Sequence, residues 1–324
     1  MGRATVTAPS ERPGRLGVGV VGAGRVGAVL GNALRAAGHP VVAVSAVSEP
    51  SRERAEMLLP GVPVVDVPEV VRRAELVLLA VPDDALAPLV AGLAATGAWQ
   101  AGQIVVHTAG RYGTDVLGPA RAAGVIPLAI HPAMTFTGTS LDLHPLEGCP
   151  FAVTAPAAVL PIAQALVVEI GGEPVVVPEE ARPLYHAGLA HGANHLTVLV
   201  AQAAAALAGA GVDDTGRMLR PLLEAALDGA LRAQSRDGGP GAIAALTGPV
   251  RRGDAGTVAE HLAVLTSLAA ATGGVDVVEG YRALARAATV RAVAAGMLDE
   301  AAAQRLLDVL AGSPGGQAGP EEEP

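Results

Sequence analysis

The stretch that most constrains the fold runs from Leu16 to Val21, an apolar run that passes directly into Gly22-Ala23-Gly24-Arg25-Val26-Gly27 and then into an Ala/Leu pattern of helical period. Strand, Gly-rich turn and helix in that order form the opening of a doubly wound sheet that binds dinucleotides. Each glycine has its own reason. Gly22 permits a tight turn out of the strand, Gly24 lets the backbone approach a pyrophosphate, and Gly27 lets the helix lie close on the sheet. The helix N-terminus then offers free N–H groups and a partial positive charge to the phosphates. Gly22, Gly24, Arg25, Val26 and Gly27 are therefore the first candidate cofactor-binding residues.

After this helix, Gly38 reads as its C-terminal stop and Val41 to Val47 as a second apolar strand. An NAD-preferring fold places an acidic residue at the end of that strand. Here the chain has Ser45-Ala46-Val47-Ser48, followed by Ser51, Arg52 and Arg54. Hydroxyl and guanidinium groups suit a 2′-phosphate, so Ser48 and Arg52 are read as binding NADP, with NAD possible. The alternative makes Arg52 and Arg54 solvent-facing residues of the next helix. Val62 to Val65 reads as a third strand and Leu76 to Val81 as a fourth. The turn after a buried parallel strand lies at the carboxyl edge where ligands bind, which places Val81 and Pro82 on the cofactor cleft. Asp83 and Asp84 read as caps of the following helix.

Two further apolar runs end in histidine: Ile104 to Val106 leads into His107-Thr108-Ala109-Gly110, and Ile126 to Ile130 into His131-Pro132. His131 is a candidate catalytic group and His107 a candidate cofactor contact, each against a structural role in its turn. Phe136 is read as a wall for the nicotinamide. Phe151 to Thr154 and Val175 to Val177 read as strands around a helix from about Ala157 to Ile170.

Beyond Pro178 the alternation of strands and helices stops, and long Ala/Leu segments run to about Leu310. The fold expected is α/β, a Rossmann-type doubly wound and mostly parallel sheet over 16–178, followed by an all-α domain over 179–311. Residues 1–15 and 312–324 read as disordered tails. The helical part opens on Tyr185-His186 and continues to His191 and Asn194-His195. Asparagine is a poor helix-interior residue, so Asn194 serves either a substrate or a buried helix interface. His186 can exchange a proton near neutral pH and is a second candidate acid. His191 and His195 stand one turn apart, but Gly192 replaces the glutamate of H-E-x-x-H and no third ligand is indicated, so no metal is assigned. Leu196 to Ala210 reads as a buried helix. Further on, Arg252 is a candidate for holding a small-molecule carboxylate substrate, and Thr257 with Glu260 has the spacing of a capping box.

Composition narrows the chemistry. All 22 basic residues are arginine, so no Schiff base, P-loop lysine or lysine acid is available. A net charge of −9 and 2% aromatic content argue against nucleic acid. No run is long and apolar enough for a membrane span, and nothing near the start resembles a secretory signal, so the cytoplasm is expected. The one cysteine, Cys149, reads as a small buried apolar residue.

With these residues in view, the chain resembles bacterial proteins that join a Rossmann-like N-terminal domain to a DUF2520 C-terminal domain. The resemblance is carried by Gly22 to Gly27, Ala80-Val81-Pro82-Asp83, His107 to Gly110, His131-Pro132 with Phe136, Tyr185-His186 with Asn194, and Thr247 through Asp254. It implies a relative of the 6-phosphogluconate, pyrroline-5-carboxylate and ketopantoate reductases, with a helical domain through which two chains dimerise. Some members resemble an alternative class of ketopantoate reductase, which would reduce a small 2-oxo acid for pantothenate synthesis. The usual enzymes of that kind carry a lysine one turn before a helix asparagine; here that position is Ala190. Proton donation would then fall to a histidine or a water.

Overall fold

The computed structural model describes residues 14–235 and 238–312. Its first part alternates as the apolar runs predict: β1 (Val18–Val21), α1 (Arg25–Ala36), β2 (Val41–Ser45), α2 (Glu49–Leu58), α3 (Val67–Arg73), β3 (Leu76–Leu79), α4 (Asp83–Ala95) and β4 (Ile104–His107). It continues through α5 (Gly118–Arg121), β5 (Ile126–Pro132), β6 (Pro150–Thr154), α6 (Leu160–Glu169) and β7 (Glu173–Val176). The sheet order is β2-β1-β3-β4-β5-β6-β7, with the first five strands parallel and β6 running against β5.

Side chains alternate across this sheet, so one strand feeds two cores. Val18, Val20, Leu76, Leu78, Val106 and Leu128 pack under α1, α2 and α6. Val21, Val77, Leu79 and Val105 pack on the other face under α3 and α4. The expected strand at Val62 to Val65 shrinks to one bridge, Val44 to Val64. Pro63 has no N–H to donate to a ladder, and Gly61 at φ 80° bends the chain just before it.

The remaining helices are α7 (Arg182–Gly209), α8 (Thr215–Gln234), α9 (Gly248–Arg252), α10 (Ala255–Thr272), α11 (Val275–Ala294) and α12 (Glu300–Ala311). The chain divides into two compact units between His191 and Gly192, inside α7. In the second unit Val250, Val258, Leu262, Ala285, Leu306 and Leu310 form a small core. Asp254, not Thr257, caps α10: its carboxylate accepts from the Thr257 N–H at 3.0 Å and from the Thr257 hydroxyl at 2.7 Å. A carboxylate satisfies both donors at once, so Glu260 is not needed as a return cap. The expected buried helix is also corrected. Arg182 is the one buried residue of α7, and Leu196, Val198 and Leu199 are exposed. Among the described residues, no helix is long and apolar enough to cross a membrane. The two predicted tails lie almost wholly outside the described residues; of them, Arg15 pairs with Glu169 at 3.2 Å.

Candidate active site

The Gly-rich turn sits at the carboxyl ends of β1 and β3, where the strand order reverses and open α/β sheets take ligands. Gly22 has φ 95°, and a Cβ there would meet the Ala80 carbonyl oxygen at 2.7 Å. A Cβ on Gly27 would overlap the Gly22 carbonyl oxygen and lie 2.8 Å from the Ala80 Cβ. Around Gly24 there is open space to 4 Å. Gly24 is also the N-cap of α1 and provides no side-chain cap, which leaves the first-turn amides for a ligand. These features fit a pyrophosphate. Val81 stands against Gly22, so the structure brings it to the glycine turn. Pro82 is the N-cap of α4; Asp83 and Asp84 lie in its first turn instead of capping it, where they complement the helix dipole.

At the end of β2 the basic group divides. Ser48 caps α2 by accepting from the Ser51 N–H at 3.3 Å, while the buried Ser51 hydroxyl bonds back to the Ser48 carbonyl at 2.7 Å. Arg52 is exposed and borders a surface cleft shared with Glu56 and Asp66. Arg54 turns the other way. It meets Arg25 at Gly138, where a Cβ would lie 2.8 Å from Arg54 Nε and 3.0 Å from Arg25 Cγ. That loop is fixed by Asp142, whose carboxylate accepts from the N–H groups of Thr137 at 3.1 Å and Gly138 at 2.7 Å. Arg54 thus shares the Gly138 loop with Arg25, the residue that opens α1 directly after Gly24.

His131, near the end of β5, meets the first turns of α7. Its Nδ1 lies 2.8 Å from the Tyr185 hydroxyl, and the two rings meet edge to face. The His186 ring stands 6.1 Å from that of His131, also edge to face. Gly110, after β4, closes the group: a Cβ there would lie 2.6 Å from His186 Cδ2 and 2.9 Å from His131 Nε2. Burial, then the Arg182 charge, pushes His131 down to about 4, so it is neutral at pH 7. Tyr185 is pushed up by burial and drawn down by Arg182.

His107 has a different task. It is fully buried, its Nε2 lies 2.7 Å from the Gly113 carbonyl, and its Nδ1 accepts from the Ala109 N–H at 3.2 Å. Both ring nitrogens are committed to the loop after β4, so its side chain supports that loop instead of reaching a cofactor. Glu179 completes the support, accepting from the Thr114 N–H at 2.7 Å and the Asp115 N–H at 3.2 Å. Burial holds His107 down at about 4 as well. Both histidines are thus depressed below the unfolded value near 6.5. The unfolded chain binds more protons between those values, so stability is full above about pH 6.5 and is lost as pH falls toward 4. Denaturant unfolding at a series of pH values is expected to show uptake approaching about two protons near pH 5; His107→Gln with His131→Asn should flatten that slope.

Phe136 is half-buried against the core face that carries α1 and α6. Asn194 and Arg252 belong to the second unit. Asn194 is exposed, and Arg252 lies 4.0 Å from Asp254. Sequence reasoning missed Tyr185 as a working side chain, although its place beside His186 in a chain with three tyrosines was a usable signal. It also missed Arg182 and Glu179, which read as ordinary charges at a helix start.

Residues 3–132 match a Rossmann-like domain and residues 149–288 match the domain of unknown function DUF2520. Among curated proteins none matches the sequence. Similar solved structures include a Bacteroides fragilis protein named as an NADP oxidoreductase, 22% identical, covering 85% of this chain and 98% of its own, with a TM-score of 0.68. An imine reductase from a Pseudomonas species is 14% identical, covers 91% of this chain and 100% of its own, and has a TM-score of 0.62. An imine reductase from Myxococcus stipitatus in complex with NADP+ is 19% identical, covers 90% and 99%, and has a TM-score of 0.57.

Proposed function

We propose that this chain, which joins a Rossmann-like domain to a DUF2520 domain, is an NADP-dependent reductase of a small 2-oxo acid, with ketopantoate as the leading substrate. The observation that carries the reading is the His131–Tyr185 pair, 2.8 Å apart, set against a residue with no side chain, Gly110, on the sheet edge that holds the glycine turn. The named activities of the similar structures, and the NADP+ bound in one of them, support a dinucleotide-dependent redox reaction.

Gly22, Gly24, Gly27 and the first-turn amides of α1 would hold the diphosphate, and Arg25 with Arg54 the 2′-phosphate. When bound, NADPH supplies the hydride. Tyr185 supplies the proton: its O–H bond breaks, the proton passes to the substrate's carbonyl oxygen, and the phenolate left behind accepts a hydrogen bond from His131 Nδ1–H. A histidine near 4 is neutral at pH 7 and suits this supporting role better than direct donation. His186 walls the same space across Gly110. The second unit pairs with a second chain, a reading supported by Met218, Leu222, Leu227 and Leu231, which α8 leaves exposed.

The names of the similar structures favour a second reading, reduction of a cyclic imine. Against it, the buried Arg182 guanidinium lies 5.9 Å from the Tyr185 ring centroid and opposes a cationic iminium there. NADPH oxidation by the purified protein, measured with ketopantoate and with pyrroline-5-carboxylate, decides between them. Turnover on the imine alone overturns the oxo-acid reading. Silence on both, and on a wider carbonyl panel at saturating NADPH, leaves a dinucleotide-sensing protein. Arg54→Ala is expected to raise the KM for NADPH about tenfold and to leave that for NADH within about twofold, the loss of one charge-assisted phosphate contact; equal effects on both cofactors would remove Arg54 from the 2′-phosphate.

A further inference from the structure

Among the described residues, two histidine–tyrosine pairs share nearly the same geometry. In the first unit, His131 Nδ1 and the Tyr185 hydroxyl are 2.8 Å apart, with ring centroids at 5.6 Å and planes at 86°. In the second, His261 Nδ1 and the Tyr281 hydroxyl are 2.9 Å apart, with centroids at 5.8 Å and planes at 82°. Burial pushes both phenols up. One difference is a fixed positive charge acting on the tyrosine. Arg182 lies with its guanidinium carbon 5.9 Å from the Tyr185 ring centroid, and no counterpart acts on Tyr281.

Arg182 is an improbable residue for its position. It is fully buried, and it begins a 28-residue helix, where the dipole disfavours a cation. Among the described residues no carboxylate comes within ion-pair distance of it. Glu179, the acid that acts on it, is committed to the amides of Thr114 and Asp115. Nε donates to the Thr154 hydroxyl at 2.7 Å, and Nη2 donates to the carbonyls of Ala129 at 2.8 Å and Ala152 at 3.0 Å. Nη1 is buried with no hydrogen-bond partner. A guanidinium held this way stays charged and costs free energy. The β5–β6 pair thus fixes a cation under the first histidine–tyrosine pair, with its charge uncancelled by a direct partner.

We propose that Arg182 is a positioning residue that makes Tyr185 the more acidic of these two half-buried tyrosines, by holding a fixed positive charge against the phenolate that proton donation leaves behind. The inference rests on the reading of Tyr185 as proton donor and deepens it. The groups acting on Tyr185 are Arg182 on its own helix, His131 on β5 and the Cys149 thiol before β6; His186 on α7 and His107 on β4 act on His131. Among these, Arg182 carries the permanent charge, since burial lowers it only to about 10.

The test is ultraviolet difference titration of tyrosinate in the full chain, with Tyr185→Phe and Tyr281→Phe used to assign each phenol. Tyr185 is expected to ionise at lower pH than Tyr281; ionisation at the same or higher pH overturns the proposal without any Arg182 variant. Arg182→Gln should lower the acid constant of Tyr185 about tenfold to a hundredfold, as loss of a unit charge at this range predicts. Arg182→Lys, which keeps the charge and loses the fork, should leave it within about threefold. Equal shifts in both variants would make Arg182 a mechanical clamp and nothing more. The titration needs no substrate, so its failure is distinct from failure to find turnover, which bears on the reductase reading alone.

Discussion

Tyr185→Phe is expected to lower kcat for the proposed oxo-acid reduction by about 100- to 1,000-fold while the KM for NADPH stays within about twofold, the range for removing a positioned general acid. The substitution is a narrow one. The phenyl ring keeps its edge contact with His131 and its place beside Arg182, and only the hydroxyl bonded to His131 at 2.8 Å is removed. The stability cost should be about 1 kcal/mol, that of one hydrogen bond in a half-buried setting. Steady-state kinetics with NADPH held saturating gives the measurement. A residual rate that no longer falls at alkaline pH would match the loss of the phenol as acid, whereas a kcat within about threefold of the parent would move donation to His186 or water. His131→Phe tests the same pair from the other side. It should reduce kcat less, because Tyr185 keeps its own proton and Arg182 keeps its charge.

How much of this was legible beforehand follows from the kind of signal involved. The glycine turn and the strand runs were legible because backbone geometry dictates them: Gly22 at positive φ and Gly27 under a carbonyl strongly favour glycine, and a strand buried on both faces must be apolar throughout. The Val62 to Val65 run misled because hydrophobic content does not reveal that Pro63 cannot donate to a ladder. His107 and His131 were both placed at strand ends, correctly. What sequence could not supply was the direction of each ring: His107 turns into its own loop, and His131 turns to α7. Arg182 was illegible for a deeper reason. A charged residue after Pro178-Glu179-Glu180 at a helix start reads as solvated, and its burial depends on two carbonyls from strands that precede it by some 30 to 53 positions. The cluster of Ser48, Ser51, Arg52 and Arg54 was legible as a group, but not its division: Arg52 borders a surface cleft, while Arg54 reaches the Gly138 loop.

Gly27→Ala and Gly24→Ala separate the two demands that the opening motif makes. At Gly27 an added Cβ runs into the Gly22 carbonyl oxygen and the Ala80 Cβ, both fixed by the parallel pairing of β1 and β3. Neither can yield without moving α1 off the sheet, so a loss of about 1–3 kcal/mol in stability is expected, as for other overpacked sites. The same movement displaces the first-turn amides, and NADPH affinity should fall by more than about 100-fold, some 2.7 kcal/mol. At Gly24 the space is open and the backbone is extended, at φ −71° and ψ −167°, so alanine is tolerated by the fold. Its stability should stay within about 1 kcal/mol of the parent. Yet the methyl group occupies the ground a pyrophosphate needs, and affinity should fall at least about tenfold. Denaturant midpoints read beside NADPH fluorescence titrations resolve the pair. If Gly24→Ala binds NADPH as well as the parent does, the phosphates do not lie on this turn, and the glycines of the motif serve the packing of α1 alone.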